Sequence, residues 1–186
     1  MYPVVFDPAY IRAVVVGKGP GARRRLAGLE AAGVQEVMVF CPDPDEQLTA
    51  HAGERLIRRL PSGSDLEGAT LVLVAGLDDD AAEGVAVDAR AAGIPVNVED
   101  RTSLCDFHMP ATIRRGDLLL TASTGGRAPG LARAIREHLG IGFGPEWAER
   151  LDTLAKARQT WREDGADATE VSRRTQELID REDWFG

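Results

Sequence analysis

The sequence predicts an α/β fold built on a parallel sheet, and three observations carry that expectation. Short apolar runs of the buried-strand type recur at residues 13–17, 36–40, 70–76 and 94–98. Helical spacing fills the intervals between them. Glycine, proline or an acidic start punctuates each change. Strand and helix alternating over about 100 residues are the pattern of an open parallel sheet with helices on both faces.

AVVVG at 13–17 is an apolar run ending in glycine, the expected first strand. In the next stretch Ala22, Leu26, Leu29 and Ala32 or Gly33 recur at helical spacing. EVMVF at 36–40 is a second strand, closed by CPDPD, where two prolines forbid continuation. RLIRRL at 55–60 alternates apolar and basic residues, as a short edge strand does. TLVLVAG at 70–76 is a third strong strand, and the helix after it opens on acids and ends at Gly93. IPVNV at 94–98 completes the series. The pattern then changes: residues 111–124 read as an antiparallel hairpin about an Arg-Gly-Asp turn, and 130–140 as a helix stopped by Gly140. Beyond a glycine-rich joint, 146–182 hold two amphipathic helices split near Gly165. The expected organisation is a Rossmann-like domain over 1–110, a hairpin and helix for dimerisation and substrate over 111–143, and a helical region over 144–186.

The chain has 186 residues, 44% hydrophobic and 28% charged, enough for a full core. Lys plus Arg total 22 against 30 for Asp plus Glu, a net charge of −8, which argues against nucleic acid as partner. No apolar run approaches the roughly 20 residues of a membrane helix. The start lacks the basic and apolar regions of a secretory signal. The two cysteines, Cys41 and Cys105, form no CxxC pair, so a cytoplasmic protein with free thiols is expected.

After the first strand comes GKGPGA, with Gly17, Gly19 and Ala22 at the G-x-G-x-x-G/A positions. Glycine lets the chain turn sharply and approach a pyrophosphate, and the small third residue lets the helix pack on its strand. The alternative is a tight strand-to-helix turn with incidental glycines. Phe40 and Cys41 stand where an acid normally closes the second strand to hold the ribose, and Asp43 follows only after Pro42. Asp43 would repel a 2′-phosphate and no arginine lies within 36–50, so NAD is expected over NADP. Against that, Asp43 could merely cap its turn while Arg23 to Arg25 reach across.

VVVGKGPGARRR, followed by NVEDRTSLCDFHMPATIRRGDLLLTASTGGRAPGLARAIRE, resembles the siroheme synthase N-terminal domain family. Those proteins are precorrin-2 dehydrogenases that often double as sirohydrochlorin ferrochelatases. The resemblance runs in order over 1–140. It implies NAD-dependent oxidation of precorrin-2 to sirohydrochlorin, with ferrous iron as a possible second substrate. Carried over by position, it makes Asp100 the catalytic aspartate and places cofactor contacts on Pro20, Gly21, Pro42 and Asp43. Thr124 falls where some members carry a regulatory serine. The chain departs from the family at Lys18, at Pro20-Gly21 and at Gly76 and Ala82. Those departures motivate a second reading, a tetrapyrrole- or dinucleotide-binding protein without turnover.

The residues of the second block suit a tetrapyrrole substrate. Arg114, Arg115, Arg127, Arg133 and Arg136 face one acid, Asp117, between 112 and 136, a local charge of +4. Precorrin-2 carries eight carboxylates, which arginine forks match. Arg133 and Arg136 could instead solvate a helix face. Ser123, Thr124, Gly125 and Gly126 form either a second cradle of backbone N–H groups or an ordinary helix cap. Asp100 is either a proton acceptor at a strand end or the cap of the next turn. Asp106 reads as structural, and Cys41 and Cys105 as small buried hydrophobes. The histidines at 51, 108 and 138 show no paired metal spacing, so no metal site is expected. Trp147, Leu151, Leu154 and Trp161, with Val171, Leu178 and Ile179, predict a homodimer through the C-terminal helices. The chain is too short to include the methyltransferase domain some relatives fuse at the C-terminus.

Overall fold

The computed structural model describes residues 1–185 and divides into two compact units, Met1–Met109 and Pro110–Gly186. The first holds a five-stranded sheet of β1 (Arg12–Gly17), β2 (Glu36–Phe40), β3 (Leu56–Ile57), β4 (Leu71–Ala75) and β5 (Val96–Val98). All pairings are parallel, in the order β3-β2-β1-β4-β5. β1 runs between β2, from Arg12↔Glu36 to Val16↔Phe40, and β4, from Ala13↔Leu71 to Gly17↔Ala75. A central strand covered on both faces has no polar side, which explains the continuous apolar run at 13–17.

Ala13, Val15, Leu71 and Leu73 face α1 (Gly19–Ala31) and α2 (Glu46–Ala52). Val14, Val16, Val72, Val74, Val96 and Val98 face α3 (Gly63–Leu66) and α4 (Asp79–Ala91). Fully burying one such valine contributes about 1.5–3 kcal/mol. α2 and α4 begin on capping aspartates: Asp45 accepts from Leu48 N at 2.6 Å and Asp78 from Ala81 N at 2.9 Å. The expected edge strand over 55–60 shrinks to the two residues of β3, because a one-sided edge position rewards only that much pairing.

The second unit opens with the antiparallel hairpin β6 (Ala111–Arg115) and β7 (Leu118–Ala122), registered from Ala111↔Ala122 to Arg115↔Leu118. Gly116 turns it with a φ of 56°. α5 (Pro129–Gly142) packs on both strands and continues past Gly140, which does not stop it. α6 (Trp147–Glu163) and α7 (Ala168–Arg181) pack on one another. Trp147, Val171 and Leu178 are buried inside this unit. Trp147 stacks near Phe143, Phe185 and Trp184 at centroid separations of 4.8, 5.1 and 6.2 Å. Leu151, Leu154, Trp161 and Ile179 on the same helices remain half-buried. The apolar residues left exposed lie elsewhere, with Leu131, Ile135 and Ile141 on α5.

Candidate functional site

The carboxyl ends of β1 and β4 meet at the point where the chain leaves the sheet in opposite directions, the place where open α/β sheets receive ligands. Gly17 has a φ of 132°, and a Cβ there would collide with the Ala75 carbonyl oxygen. Lys18 N donates to that oxygen at 3.1 Å. In return Gly76, at φ 68°, lies so close to the Lys18 carbonyl that it has no room for a side chain. Gly76 thus answers the backbone at 18 across the loop contact, whatever side chain stands there. Gly19 also has a φ of 68°, with open space where a Cβ would stand. α1 starts on Lys18 with no capping side chain, and Pro20 sits in its first turn. An uncapped helix start behind an open glycine is an anion-receiving geometry, and these residues fit a dinucleotide pyrophosphate. Gly21 and Ala22 are buried beneath it.

At the end of β2, Pro42 and Asp43 are exposed beside a fully buried Cys41, whose thiol burial pushes up. Arg23 crosses from α1 to this loop and pairs with Asp45 at 2.7 Å. The Leu48 backbone N–H, followed by Arg23, holds the Asp45 carboxyl below its ordinary range. A basic residue does reach across, but an acid already meets it.

Asp100 follows β5 with a φ of 58°, exposed and without a hydrogen bond to its carboxylate among the described residues. It does not cap the short helical turn at 102–104, which Arg101 precedes without a side-chain bond. The segment beyond is fixed by other groups. Asp106 accepts from Val96 N at 3.0 Å and from Arg90 at 2.9 and 3.0 Å. Cys105 is no apolar filler: its sulfur accepts from Val98 N at 3.3 Å and lies within bonding reach of the Val98 and Arg101 carbonyls. Asn97, nearly buried, donates to Phe107 O at 2.7 Å.

Sequence reasoning passed over Glu99, and weighed Arg25 only as one of three arginines that could reach across to the ribose end. Arg25 buries its Nε without a partner. Burial lowers its pKa, opposed by Glu99, Cys105 and Asp100. Glu99 lies on the face of β5 opposite Val96 and Val98, which period-two alternation alone reveals.

In the second unit the arginines divide. Arg115 donates to the Phe143 carbonyl at 2.9 Å, while Arg133 and Arg136 pair with Glu137 at 2.8 and 3.3 Å. Glu137 lies one residue outside the stretch that counted as +4. Arg114 and Arg127 are exposed and make no ion pair among the described residues. Ser123 accepts from Gly125 N at 3.3 Å and Thr124 from Ala128 N at 3.2 Å. Gly125 and Gly126 both have positive φ, so this turn caps itself with its own hydroxyls.

The fold, the switch point and the glycine-loop helix together define a dinucleotide-binding α/β domain. The profile of the family described as putative NAD(P)-binding matches residues 4–111, and the chain belongs to that family. It is similar to the siroheme synthase of Pseudomonas entomophila (strain L48), 39% identical over 151 residues, 79% of this chain and 32% of that protein. The siroheme synthase of Methylobacillus flagellatus is 40% identical over 129 residues, 68% of this chain and 27% of that protein. These relatives bear out the resemblance, and the chain spans about a third of the length of the first. Among solved structures, "SirC, precorrin-2 dehydrogenase" aligns with a TM-score of 0.77 at 22% identity, covering 100% of this chain and 93% of that one. That likeness establishes the fold as expected: a parallel Rossmann-like sheet, a small hairpin and C-terminal helices. No described helix is long and apolar enough to cross a membrane.

Proposed function

We propose that this chain is a dinucleotide-dependent dehydrogenase that oxidises precorrin-2 to sirohydrochlorin. The observation that carries the reading is one edge of one sheet. The uncapped glycine-loop helix stands at the end of β1, and a free carboxylate, Asp100, at the end of β5. Gly17, Gly19 and the first turn of α1 hold the pyrophosphate, with Pro20 and Gly21 beside it, and Pro42 and Asp43 receive the adenosine ribose. The bound nicotinamide supplies a hydride acceptor. Asp100 takes the proton that must leave the macrocycle when hydride does. Arg114 and Arg127, with the N–H groups of the 123–126 turn other than that of Gly125, which Ser123 holds, meet substrate carboxylates. Arg115 serves the fold through Phe143.

NAD is preferred over NADP because Asp43, exposed after β2, would repel a 2′-phosphate and Arg23 is already paired with Asp45. Comparable affinity for the two dinucleotides in a titration would remove that preference. The protein is a homodimer in the cytoplasm, with the half-buried apolar residues of the C-terminal helices at 146–182 as its contact; a monomeric mass by light scattering at micromolar concentration rejects this. The test of the function is anaerobic assay with enzymatically generated precorrin-2, with and without NAD and ferrous iron. Sirohydrochlorin formed only with dinucleotide supports the reading, and iron uptake afterwards adds the chelatase. Tetrapyrrole binding with no oxidation under any condition replaces it with a binding protein.

A further inference from the structure

Glu99 extends β5 by one residue, its N–H donating to Val74 O at 2.9 Å. Its side chain emerges on the α1 face. There it reaches the first turn of α1, where a Cβ on Gly21 would collide with its carboxylate, and a Cβ would also stand 2.9 Å from that of Ala75. Arg24 pairs with the same carboxylate at 2.9 Å, and the Glu99 side chain retains 28% of its exposure. Arg25, the next residue along α1, has its Nε buried and unpartnered, and the charge of Glu99 opposes the lowering of its pKa by burial. Three independent features thus converge on one acid: a missing side chain that makes room for it, an ion pair that holds it, and a half-buried guanidinium that needs it.

We propose that Glu99 is an internal counter-anion of the α1 turn, latched by Arg24, which lowers this chain's affinity for the dinucleotide its glycine loop receives. This rests on the dinucleotide reading above. The carboxylate supplies negative charge to the positive end of α1, which has no capping side chain of its own. A pyrophosphate arriving at the same turn meets that charge a few ångströms away. Glu99 occupies the volume of the side chain that Gly21 lacks, so a larger residue at 21 would have to displace its carboxylate. With the acid removed, Arg24 and Arg25 are left facing the crevice without their counter-charge and add to the attraction for a phosphate.

The test is calorimetric titration of the full chain with NAD, comparing wild type with Glu99→Gln, which keeps shape and removes charge. Glu36→Gln, at the opposite edge of the same sheet, makes the same change in net charge away from the crevice. Glu99→Gln should bind roughly five- to fiftyfold more tightly. The gap should narrow in high salt, and Glu36→Gln should bind as wild type does. Thermal unfolding checks that each variant is folded, and Glu99→Ala carries the same expectation if the glutamine variant is not. Equal or weaker binding by the folded Glu99 variants overturns the proposal, even where wild type binds NAD normally. Binding by Glu99→Gln alone, with none by wild type, supports it while removing dinucleotide use from the natural chain. No binding by any form overturns both.

Discussion

In the first unit, Gly17, Gly19 and Gly76 hold positive φ at the carboxyl edge of the sheet, and the groups proposed to receive an anion there are backbone N–H donors. In the second unit, the proposed counterpart is a set of arginine side chains, of which Arg115, Arg133 and Arg136 already have partners within the unit. A backbone site is fixed by conformation, so the spacing of glycines reports it directly. A side-chain site depends on which neighbour each group meets, and a charge count over a window cannot say. Breaking the first kind of site should cost fold and function together; breaking the second should separate them.

The largest expected effect falls on a side chain that is an exception in the first unit, because Asp100 makes no bond that the fold uses. Asn tolerates its positive φ as well as Asp does, so Asp100→Asn should fold normally. If Asp100 is the proton acceptor, sirohydrochlorin formation should fall by roughly 10²–10⁴-fold with dinucleotide affinity unchanged. Near wild-type turnover by the folded variant would take Asp100 out of the mechanism.

Gly17→Ala comes next. It places a Cβ against the Ala75 carbonyl at a φ that alanine avoids, so urea unfolding should show a loss of about 3 kcal/mol or more, with dinucleotide binding lost as well. Gly130, in α5, has ordinary φ and nothing within 4 Å of a new Cβ. Gly130→Ala should be neutral or stabilise by up to about 1 kcal/mol. Similar midpoints for the two variants would show that the β1–β4 loop contact yields easily.

Much of the first unit was legible because parallel strands buried on both faces write themselves as apolar runs: 36–40 is β2 residue for residue, and 13–17 misses β1 by one. The short helices α2 and α3 were not legible. α2 depends on a cap from Asp45 that follows two prolines, and the prolines advertise only the end of the strand. The candidate site was visible where it is backbone, at Gly17 and Gly19, and at Asp100 through the quoted motif. Glu99 stood inside that motif unread, because its meaning comes from Gly21 and Arg24, far away in sequence. Cys105 misled for the opposite reason: its composition suggests filler, and its hydrogen bonds to a strand end are tertiary.

Arg114 and Arg115 sharpen the contrast within the second unit. Arg115→Ala removes a charged donor from the Phe143 carbonyl at the end of α5 and should destabilise by about 1–2 kcal/mol in urea unfolding. Arg114→Ala removes no partner and should leave stability within about 0.5 kcal/mol. Its effect should instead appear as a several-fold rise in KM for the tetrapyrrole, with kcat little changed. Stability loss in Arg114→Ala, or an unchanged KM, would place its role outside substrate binding.

The smallest effect concerns α7 and acid. Glu170 stands in the first turn of that helix and pairs with Arg173 and then Arg174, which hold its carboxyl down to about 2. In the unfolded chain the same group titrates near about 4.3. A carboxyl whose folded pKa lies below its unfolded one contributes stability above the unfolded value, and that contribution disappears as pH falls through the folded one. The helical signal of wild type should therefore weaken between about pH 4 and pH 2, through this group, more than that of Glu170→Gln, which has no such proton to bind. The pair is exposed, so the difference should be small and should shrink in high salt. Asp106 provides the matching acid in the first unit. Arg90 and the Val96 N–H, working against burial, also hold it below its ordinary range, but it clamps the segment after Asp100 rather than one helix turn. Asp106→Asn should accordingly alter acid unfolding of the first unit as a whole, below the range in which an unfolded aspartate titrates. Superimposable acid curves for wild type and Glu170→Gln would show that the α7 cluster adds nothing to folding.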